Sequence, residues 1–173
     1  EEHRRSLEHL ANHDPLTGLP NRLSLKAQLP QLLRDLTGTQ GDLALFYIDL
    51  DEFKGINDSR GHAAGDELLR ITAQRLRACV KDGDTVARLG GDEFTVIVRN
   101  VQDPGSASSV AERITHSLSM PVSIAGKDHQ VRASIGIALA PQHGADLDQI
   151  LKNADLAMYA AKAAGRRTHR FFE

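Results

Sequence analysis

Two adjacent glycines, Gly90 and Gly91, separate two short apolar segments, and this feature constrains the fold more than any other part of the sequence. Glycine pairs favour tight hairpin turns because both turn residues then adopt positive φ angles without a steric penalty. We therefore predict a β-hairpin with strands at about 85–89 and 93–98. Helical and strand-like segments alternate on both sides of this hairpin, so the pattern predicts a mixed sheet rather than an all-parallel one.

A continuous apolar segment at 43–48 lies between Gly41 and Asp49. Its shortness and its lack of polar alternation predict a strand that is buried on both faces. The remaining periodicity predicts helices at 21–36, 63–80, 106–119 and 146–164, a helical turn at 52–58, and strands at 122–124, at 130–139 and near the C-terminal end. These elements predict a single α+β domain, with helices packed on the faces of a central mixed β-sheet that contains the hairpin.

Residues 1–12 are highly charged, with apolar residues at helical spacing. They predict the last turns of a helix that enters from an upstream segment. A solvated helical tail explains this composition at least as well as a signalling coiled coil does. We therefore divide the chain into an incoming linker helix at 1–12 and a domain at 13–173.

Composition excludes several classes of protein. The formal net charge is −2 over 173 residues, so no overall basic field attracts nucleic acid or an anionic membrane. The single cysteine, Cys79, excludes an internal disulfide framework and is compatible with a reducing compartment. No apolar run approaches the ~20 residues needed to cross a bilayer, and the chain does not open on a signal-peptide pattern. We therefore expect a cytoplasmic domain with no nucleic-acid partner and no direct membrane contact, within a parent protein that can itself be membrane-anchored.

Acidic residues follow the buried strand and occupy the hairpin turn. Asp49 and Asp51 come directly after the apolar segment, at the end of a strand where sites in open sheets gather. For Asp51 alone, a cap of the next helical turn is the better explanation. Asp92 and Glu93 lie in the turn, where acids are usually solvated. If the strand and the hairpin lie side by side, however, Asp49 and Asp92 form a cluster of hard oxygen ligands that suits Mg²⁺.

Phosphate groups need donors, and the sequence offers them in two places. The segment that begins Glu52-Phe53-Lys54 is a helix N-terminus, whose N–H groups can hold an anion. Lys162 and Arg166 lie four residues apart near the end of the last helix. They either bind phosphate or complement the dipole of that helix, and the residues alone do not decide between the two.

A pair of polar residues, Asn57 and Asp66, flanks a glycine-containing segment. An amide and a carboxylate can together read the hydrogen-bonding edge of guanine. As isolated residues, they are more often turn formers and helix caps. Their role therefore depends on the motifs that surround them.

Six motifs occur in order along the chain, and together they resemble the GGDEF family of diguanylate cyclases from about 13 to 172. The motifs are DPLTGLPNR at 14–22, DLDEFKGIND at 49–58, GHAAGD at 61–66, RLGGDEF at 88–94, ASIGIA at 133–138 and ADLAMYAAK at 154–162. A single motif of this kind arises by chance, but the ordered series does not. The central sheet is accordingly expected to be similar to those of nucleotide cyclases and polymerase palms.

The resemblance implies a role for each motif residue. Asp49, the Leu50 carbonyl and Asp92 would coordinate two Mg²⁺ or Mn²⁺ ions in each active half-site, and Glu93, beside Asp92, would assist deprotonation of the attacking hydroxyl. Substrate binding would involve Asn57 and Asp66 at the guanine, and Phe53, Lys54, Gly90, Gly91, Lys162 and Arg166 around the phosphates. The resemblance thus raises the functional interpretation of the guanine pair above the capping one.

The family's reaction joins two GTP molecules into cyclic di-GMP and releases two pyrophosphates. It implies an antiparallel homodimer, because each domain holds one GTP, and it implies further domains upstream and downstream. The alternative is a GTP-binding regulatory domain that controls an adjacent EAL phosphodiesterase; the intact Asp49, Asp92 and Glu93 favour catalysis. A class III nucleotide cyclase or a polymerase palm is a weaker alternative, because the chain lacks a basic duplex channel and carries the ordered motifs.

One motif departs from the family pattern. Many members carry R-x-x-D shortly before the signature as a product-inhibition site, and this chain has Lys81-Asp82-Gly83-Asp84 instead. Asp84 is retained, but Lys81 cannot offer the planar two-point contact of an arginine. We therefore expect a degenerate product-inhibition site at Lys81 and Asp84, with weak feedback by cyclic di-GMP.

Overall fold

The computed structural model describes residues 2–36, 41–165 and 168–173. The helices are α1 (Glu2–Asn12), α2 (Arg22–Asp35), α3 (Phe53–Arg60), α4 (His62–Cys79), α5 (Pro104–Ser119) and α6 (Leu147–Ala163). The strands are β1 (Asp42–Leu50), β2 (Thr85–Gly90), β3 (Glu93–Val101), β4 (Val122–Ile124), β5 (Lys127–His129), β6 (Ala133–Ala140) and β7 (His169–Phe171). In these ranges no helix is both long enough and apolar enough to cross a bilayer.

The central sheet is mixed, as the hairpin predicted. In the described part of the chain it has five strands in the order β2-β3-β1-β6-β7. Strand β1 lies in the middle and pairs antiparallel with both β3 and β6, whereas β6 and β7 are parallel. The β2–β3 hairpin turns at Gly91 and Asp92, and both Gly91 and Gly90, the last residue of β2, have positive φ. The predicted α+β architecture is therefore confirmed.

Strand β1 is buried on both faces because helices cover both sides of the sheet. Alternate residues from Ala44 to Leu50 belong to the apolar cluster formed with α4 and α5. The intervening residues Leu43, Leu45 and Tyr47 belong to a second cluster, formed with α2 and α6. Asp49 follows the alternation of the second set, so the strand directs it to the face that α6 covers.

Helix ends follow the sequence signals closely. The N-terminal caps of α2, α5 and α6 are Asn21, Asp103 and Asp146, whose side chains accept hydrogen bonds from the N–H groups of Ser24, Ser106 and Gln149. Such caps satisfy backbone donors that the first helical turn leaves without partners. The last helix ends just before Gly165, which has φ of 112° as the sequence predicted for a C-terminal glycine.

The predicted strand at 130–139 begins later and is preceded by a separate small hairpin. Strand β5 pairs with β4 through a tight turn at Ala125 and Gly126, which have φ of 52° and 78°. Residues 130–132 then lead into β6, and the carbonyl of Arg132 accepts a hydrogen bond of 2.9 Å from the N–H of Asp51. The sequence pattern did not separate β5 from β6, because the apolar Val131 between them continues the apparent strand; in the structure Val131 is buried although it lies outside both strands.

Helix α6 packs directly on the backbone of β6 at Gly136. A Cβ atom at this position would lie 1.9 Å from the carbonyl oxygen of Ala154 and 2.4 Å from the amide nitrogen of Met158. Both neighbours are backbone atoms of a helix, so no side-chain rotation relieves such a contact. The absence of a side chain at Gly136 therefore sets the distance between α6 and the sheet.

Replacing Gly136 with alanine is expected to destabilise the domain by about 1–3 kcal/mol, the usual cost of overpacking, because α6 must move outward. Gly55→Ala is the matched control, since a Cβ there meets nothing within 4 Å among the described residues. It lies inside α3, where alanine is favoured over glycine by up to about 1 kcal/mol. Urea unfolding of both variants measures the difference. Equal stability of Gly136→Ala and wild type would contradict the packing role.

Candidate functional site

Three adjacent strands bring polar side chains together at one end of the sheet, where the central strand β1 ends. Asp49, near the end of β1, lies opposite Glu93 of β3 and opposite Ser134 of β6. The N–H of Leu50 donates a hydrogen bond of 3.4 Å to the carbonyl of Asp92. Directly paired residues point to the same face of an antiparallel sheet, so these side chains share one site.

The carboxylate of Asp49 is buried and only partly satisfied. The residue is 9% exposed. Its Oδ2 atom forms an ion pair with Nζ of Lys162 on α6. Its Oδ1 atom is buried and accepts no hydrogen bond from any described residue. A buried carboxylate oxygen without a donor is costly, so this atom is suited to a cation.

The pKa of Asp92 is raised from 3.8 to about 7, first by burial and then by the neighbouring carboxylate of Asp49. Two neighbouring carboxylates repel each other when both are ionised. Protonation of Asp92 relieves this repulsion, which is why its pKa is raised. A divalent cation between them would relieve it in the same way and would favour the ionised form of both acids.

The acidic pair fits a cation that takes only part of its ligands from protein. In the part of the chain that the structure describes, no group of three or more histidine, cysteine or acidic side chains is placed to hold a metal. A tetrahedral zinc site of the usual composition is therefore excluded within those residues. Mg²⁺ binds through one or two carboxylates together with water and substrate phosphates, and two acids beside a backbone carbonyl suit it.

Glu93 is held by a residue that sequence reasoning did not single out. The hydroxyl of Tyr47 donates a hydrogen bond of 2.7 Å to Oε2 of Glu93. The pKa of Tyr47 is raised far above its ordinary value, first by burial and then by the hydrogen bond to Glu93 and the charge of that group. The phenol therefore stays protonated and acts only as a donor. Tyr47 lies inside an apolar run, so its sequence pattern was that of a core residue.

The glycine turn is open to a ligand at its Cβ positions and is held by hydrogen bonds from Arg88. A Cβ built on Gly90 or Gly91 meets no described atom within 4 Å, which leaves space for a ligand to approach the backbone. The guanidinium of Arg88 donates to the carbonyl of Gly91 at 3.1 and 2.8 Å. A third nitrogen of Arg88 forms a half-buried ion pair of 2.8 Å with Asp14. The turn after α1 thus holds the hairpin in place.

The two residues of the predicted base-reading pair lie near each other. Asn57 is in α3 and Asp66 is in α4, and the chain reverses between them at Gly61, which has φ of 93°. A Cβ on Gly65 would lie 2.5 Å from Oδ1 of Asn57. The α4 backbone beside Asp66 is therefore packed against the Asn57 amide. Both side chains are partly exposed and accessible to a ligand.

The predicted phosphate-binding residues fall into three groups. Phe53 and Lys54 form the first turn of α3, as expected for a helix N-terminus; the ring of Phe53 packs on the core and Lys54 is exposed. Lys162 is 27% exposed and reaches the site through its ion pair with Asp49. Arg166 lies outside the described residues.

Asp51 does not serve as the cap of α3, contrary to the sequence-based interpretation. The residue at the cap position is Glu52, whose side chain makes no capping hydrogen bond within the described ranges. Asp51 instead accepts a hydrogen bond of 2.8 Å from the hydroxyl of Ser134. The partner comes from 83 residues away along the chain, so local pattern alone carried no signal for it.

The predicted product-inhibition residues lie in the loop before β2. Lys81 is exposed. The carboxylate of Asp84 accepts hydrogen bonds from the N–H of Lys81 at 3.2 Å and from the N–H of Arg99 at 3.0 Å. Asp84 therefore stabilises the loop, and binding of cyclic di-GMP at this position stays a prediction.

Comparison with known proteins finds similarity to proteins that contain a GGDEF domain. The family model for the diguanylate cyclase GGDEF domain matches residues 11–168. The bifunctional diguanylate cyclase/cyclic di-GMP phosphodiesterase MucR of Pseudomonas aeruginosa is 43% identical over 169 residues, which cover 98% of this chain and 24% of MucR. The diguanylate cyclase TpbB of the same organism is 42% identical over 169 residues, which cover 97% of this chain and 39% of TpbB.

The fold agrees with a solved structure of this group. A truncated Pseudomonas aeruginosa TpbB that comprises only the GGDEF domain aligns with a TM-score of 0.88 and 41% identity, over 93% of this chain and 94% of that one. The chain spans about a quarter of the length of MucR and about two fifths of that of TpbB. The similarity therefore concerns one domain of longer relatives.

Without metal, the protein should lose stability relative to an Asp92→Asn variant as the pH rises from about 4 to about 7. The folded chain raises the pKa of Asp92 from 3.8 to about 7, so folding favours the protonated acid. That contribution is complete below the unfolded pKa and disappears as the pH rises through the folded one. Urea unfolding in the presence of a chelator measures both proteins across this range. A difference that stays constant with pH would contradict the raised pKa of Asp92 in the folded chain.

Proposed function

Because the chain belongs to the diguanylate cyclase GGDEF-domain family, we propose that it condenses two GTP molecules into cyclic di-GMP with release of two pyrophosphates. The observation that carries the proposal is the junction of β1, β3 and β6. There a buried Asp49, one of whose oxygens has no hydrogen-bond partner among the described residues, lies beside Asp92, Glu93 and Lys162. A regulatory remnant has no need to maintain such a costly arrangement of acids.

The metal-binding residues of this proposal are Asp49 and Asp92 through their carboxylates and Leu50 through its carbonyl. Two Mg²⁺ or Mn²⁺ ions bound there supply charge neutralisation at the phosphates and a lower pKa for the attacking hydroxyl. Lys162, now paired with Asp49, is within reach of the same region and can pair with a terminal phosphate instead. Asp92 would then act in its ionised form.

The bond-forming step is an in-line displacement at phosphorus. The ribose 3′-hydroxyl of one GTP attacks the α-phosphate of the other, the bond to the bridging oxygen breaks, and pyrophosphate leaves. Glu93 accepts the proton of the attacking hydroxyl, directly or through water. The same step on the second nucleotide closes the ring.

Substrate recognition divides between the two ends of GTP. Asn57 and Asp66 read the guanine edge. The backbone N–H groups at the start of α3, from Phe53 and Lys54, hold the terminal phosphates, and Arg166 assists Lys162 there. Gly90 and Gly91 let the triphosphate approach the hairpin backbone closely. These assignments follow the family motifs residue by residue.

Turnover requires two domains, because each holds a single GTP and each nucleotide attacks the other. We place two copies face to face as an antiparallel homodimer. Much of the rate then comes from positioning, since a bimolecular encounter becomes effectively intramolecular. The rate per domain should accordingly rise with protein concentration until dimerisation is complete.

A second candidate is a GTP-binding regulatory domain beside a phosphodiesterase domain. The similarity to MucR, which combines cyclase and phosphodiesterase activities and of which the chain spans about a quarter, supports the adjacent phosphodiesterase domain and not the loss of cyclase activity. In that case the parent protein would carry a phosphodiesterase domain under the control of GTP. Binding of GTP without any formation of cyclic di-GMP, at protein concentrations that saturate dimerisation, would favour this candidate. We place the domain in the cytoplasm, where GTP is available.

Asp49→Asn is expected to lower the formation of cyclic di-GMP from GTP and Mg²⁺ by at least ~100-fold, because it removes a charged ligand at the reacting phosphates. Asp148→Asn is the matched control, since Asp148 is exposed and pairs with Arg22 on the surface. Separation of the nucleotide products measures both. Wild-type turnover by Asp49→Asn would refute the metal assignment.

Asn57→Ala should reduce the preference for GTP over ATP by at least ~10-fold in kcat/KM, because a site built to hydrogen-bond one base rejects another by leaving groups unpaired. Asp58→Ala, at an exposed neighbouring position in α3, serves as the control. Competition between the two nucleotides measures the ratio. An unchanged ratio for Asn57→Ala would show that the base binds elsewhere.

A further inference from the structure

Tyr47 is a buried aromatic residue whose polar end reaches the site. Only 8% of its surface is exposed, and its ring belongs to the apolar cluster that includes Leu45 and Met158. Its hydroxyl donates to Oε2 of Glu93 at 2.7 Å. The core therefore fixes the ring, and the ring in turn fixes the position of the hydroxyl.

The geometry of the sheet explains why these two side chains meet. Tyr47 lies opposite Thr95, whereas Glu93 lies opposite Asp49, so Tyr47 and Glu93 are diagonal neighbours across β1 and β3. Diagonal pairs on one face are separated by about 7–8 Å, a distance that a tyrosine spans. Both side chains lie on the face that carries Asp49.

The hydrogen bond makes the two oxygens of Glu93 unequal. Oε2 is held by the phenol, so the carboxylate loses most of its rotational freedom and Oε1 is directed by the same contact. A general base works efficiently only when its accepting atom is held within hydrogen-bond reach of the proton. An untethered glutamate side chain would have to pay this ordering entropy during each turnover.

We propose that Tyr47 is a positioning residue for Glu93, whose hydroxyl holds one carboxylate oxygen so that the other faces the attacking 3′-hydroxyl. This role rests on the proposed cyclase function, in which Glu93 accepts the proton. Tyr47 itself touches neither the substrate nor the metals. It acts through the orientation of Glu93 alone.

A purely structural explanation would be that Glu93 satisfies a buried hydroxyl. The neighbouring Thr95 weakens that explanation. Thr95 lies directly opposite Tyr47 and is fully buried, yet its Oγ1 has no hydrogen-bond partner among the residues that the structure covers. This face of the sheet therefore tolerates a buried hydroxyl without a partner, and burial alone does not require the contact with Glu93.

The test compares Tyr47→Phe, which removes only the hydroxyl, with Thr95→Val, which removes a hydroxyl of similar burial opposite it. Steady-state kinetics with GTP and Mg²⁺ give kcat and KM, and equilibrium titration with a non-hydrolysable GTP analogue gives affinity. Tyr47→Phe should lower kcat by roughly 5- to 50-fold, a typical loss for a misdirected base, while affinity stays within about twofold. Thr95→Val should leave kcat within about twofold of wild type, because the Thr95 hydroxyl forms no hydrogen bond with any described residue.

A double-mutant cycle with Glu93→Gln tests whether Tyr47 acts through Glu93. The kcat loss caused by Tyr47→Phe should disappear when residue 93 no longer accepts a proton. Tyr47→Met provides a second variant without the hydroxyl, because methionine adapts to core space. Misfolding of both Tyr47 variants would indicate a structural role and overturn the proposal.

The outcomes separate this proposal from the function on which it rests. An active wild type with an equally active Tyr47→Phe variant would overturn the positioning role and leave the cyclase assignment intact. A parallel loss of kcat and GTP affinity would overturn it as well, because that is the result of general distortion. A wild type that makes no cyclic di-GMP would refute the cyclase function, and the role of Tyr47 would fall with it.

Discussion

The site depends on the burial of an acid in the middle of a sheet. Asp49 lies near the end of the central strand β1, and its neighbours in register are Glu93 on one side and Ser134 on the other. Because residues in direct register point to the same face, these three side chains share one face of the sheet. Within the described residues, Lys162 pairs with Asp49, and burial and the accumulated negative charge raise the pKa of Asp92 to about 7. A phosphate-containing ligand bound together with divalent cations would neutralise these charges as well: the cations would pair with the acids and the phosphate with Lys162.

Helix α6 and the turn after α1 each position one part of the site. Helix α6 carries Lys162 to Asp49, and its distance from the sheet is set by the contact of Gly136 with the Ala154 carbonyl. The turn after α1 holds the hairpin through the ion pair of Asp14 with Arg88. Arg88 thus connects the turn after α1 with the carbonyl of Gly91 in the glycine turn.

Much of the fold and of the site could be predicted because the signals are local. The glycine pair predicted the hairpin, and the unbroken apolar run predicted the buried central strand. Other features could not be predicted locally. The predicted strand at 122–124 is β4, but its partner β5 was missed because Val131 extended the apparent strand that follows. Asp51 was wrongly interpreted as a helix cap because its partner Ser134 is distant in sequence.

The sequence by itself determined the family, the order of the elements and the position of each acid at a strand end, since all of these follow from residue types within a few positions of one another. Only the tertiary structure decided which side chains meet. The hydrogen bond of Tyr47 to Glu93 and the ion pair of Lys162 with Asp49 join segments that lie far apart in the chain. The pKa of Asp92 is raised by burial and likewise by a residue distant in the chain, Asp49. These contacts depend on strand register and helix packing, and a one-residue change of register would turn each strand residue to the opposite face.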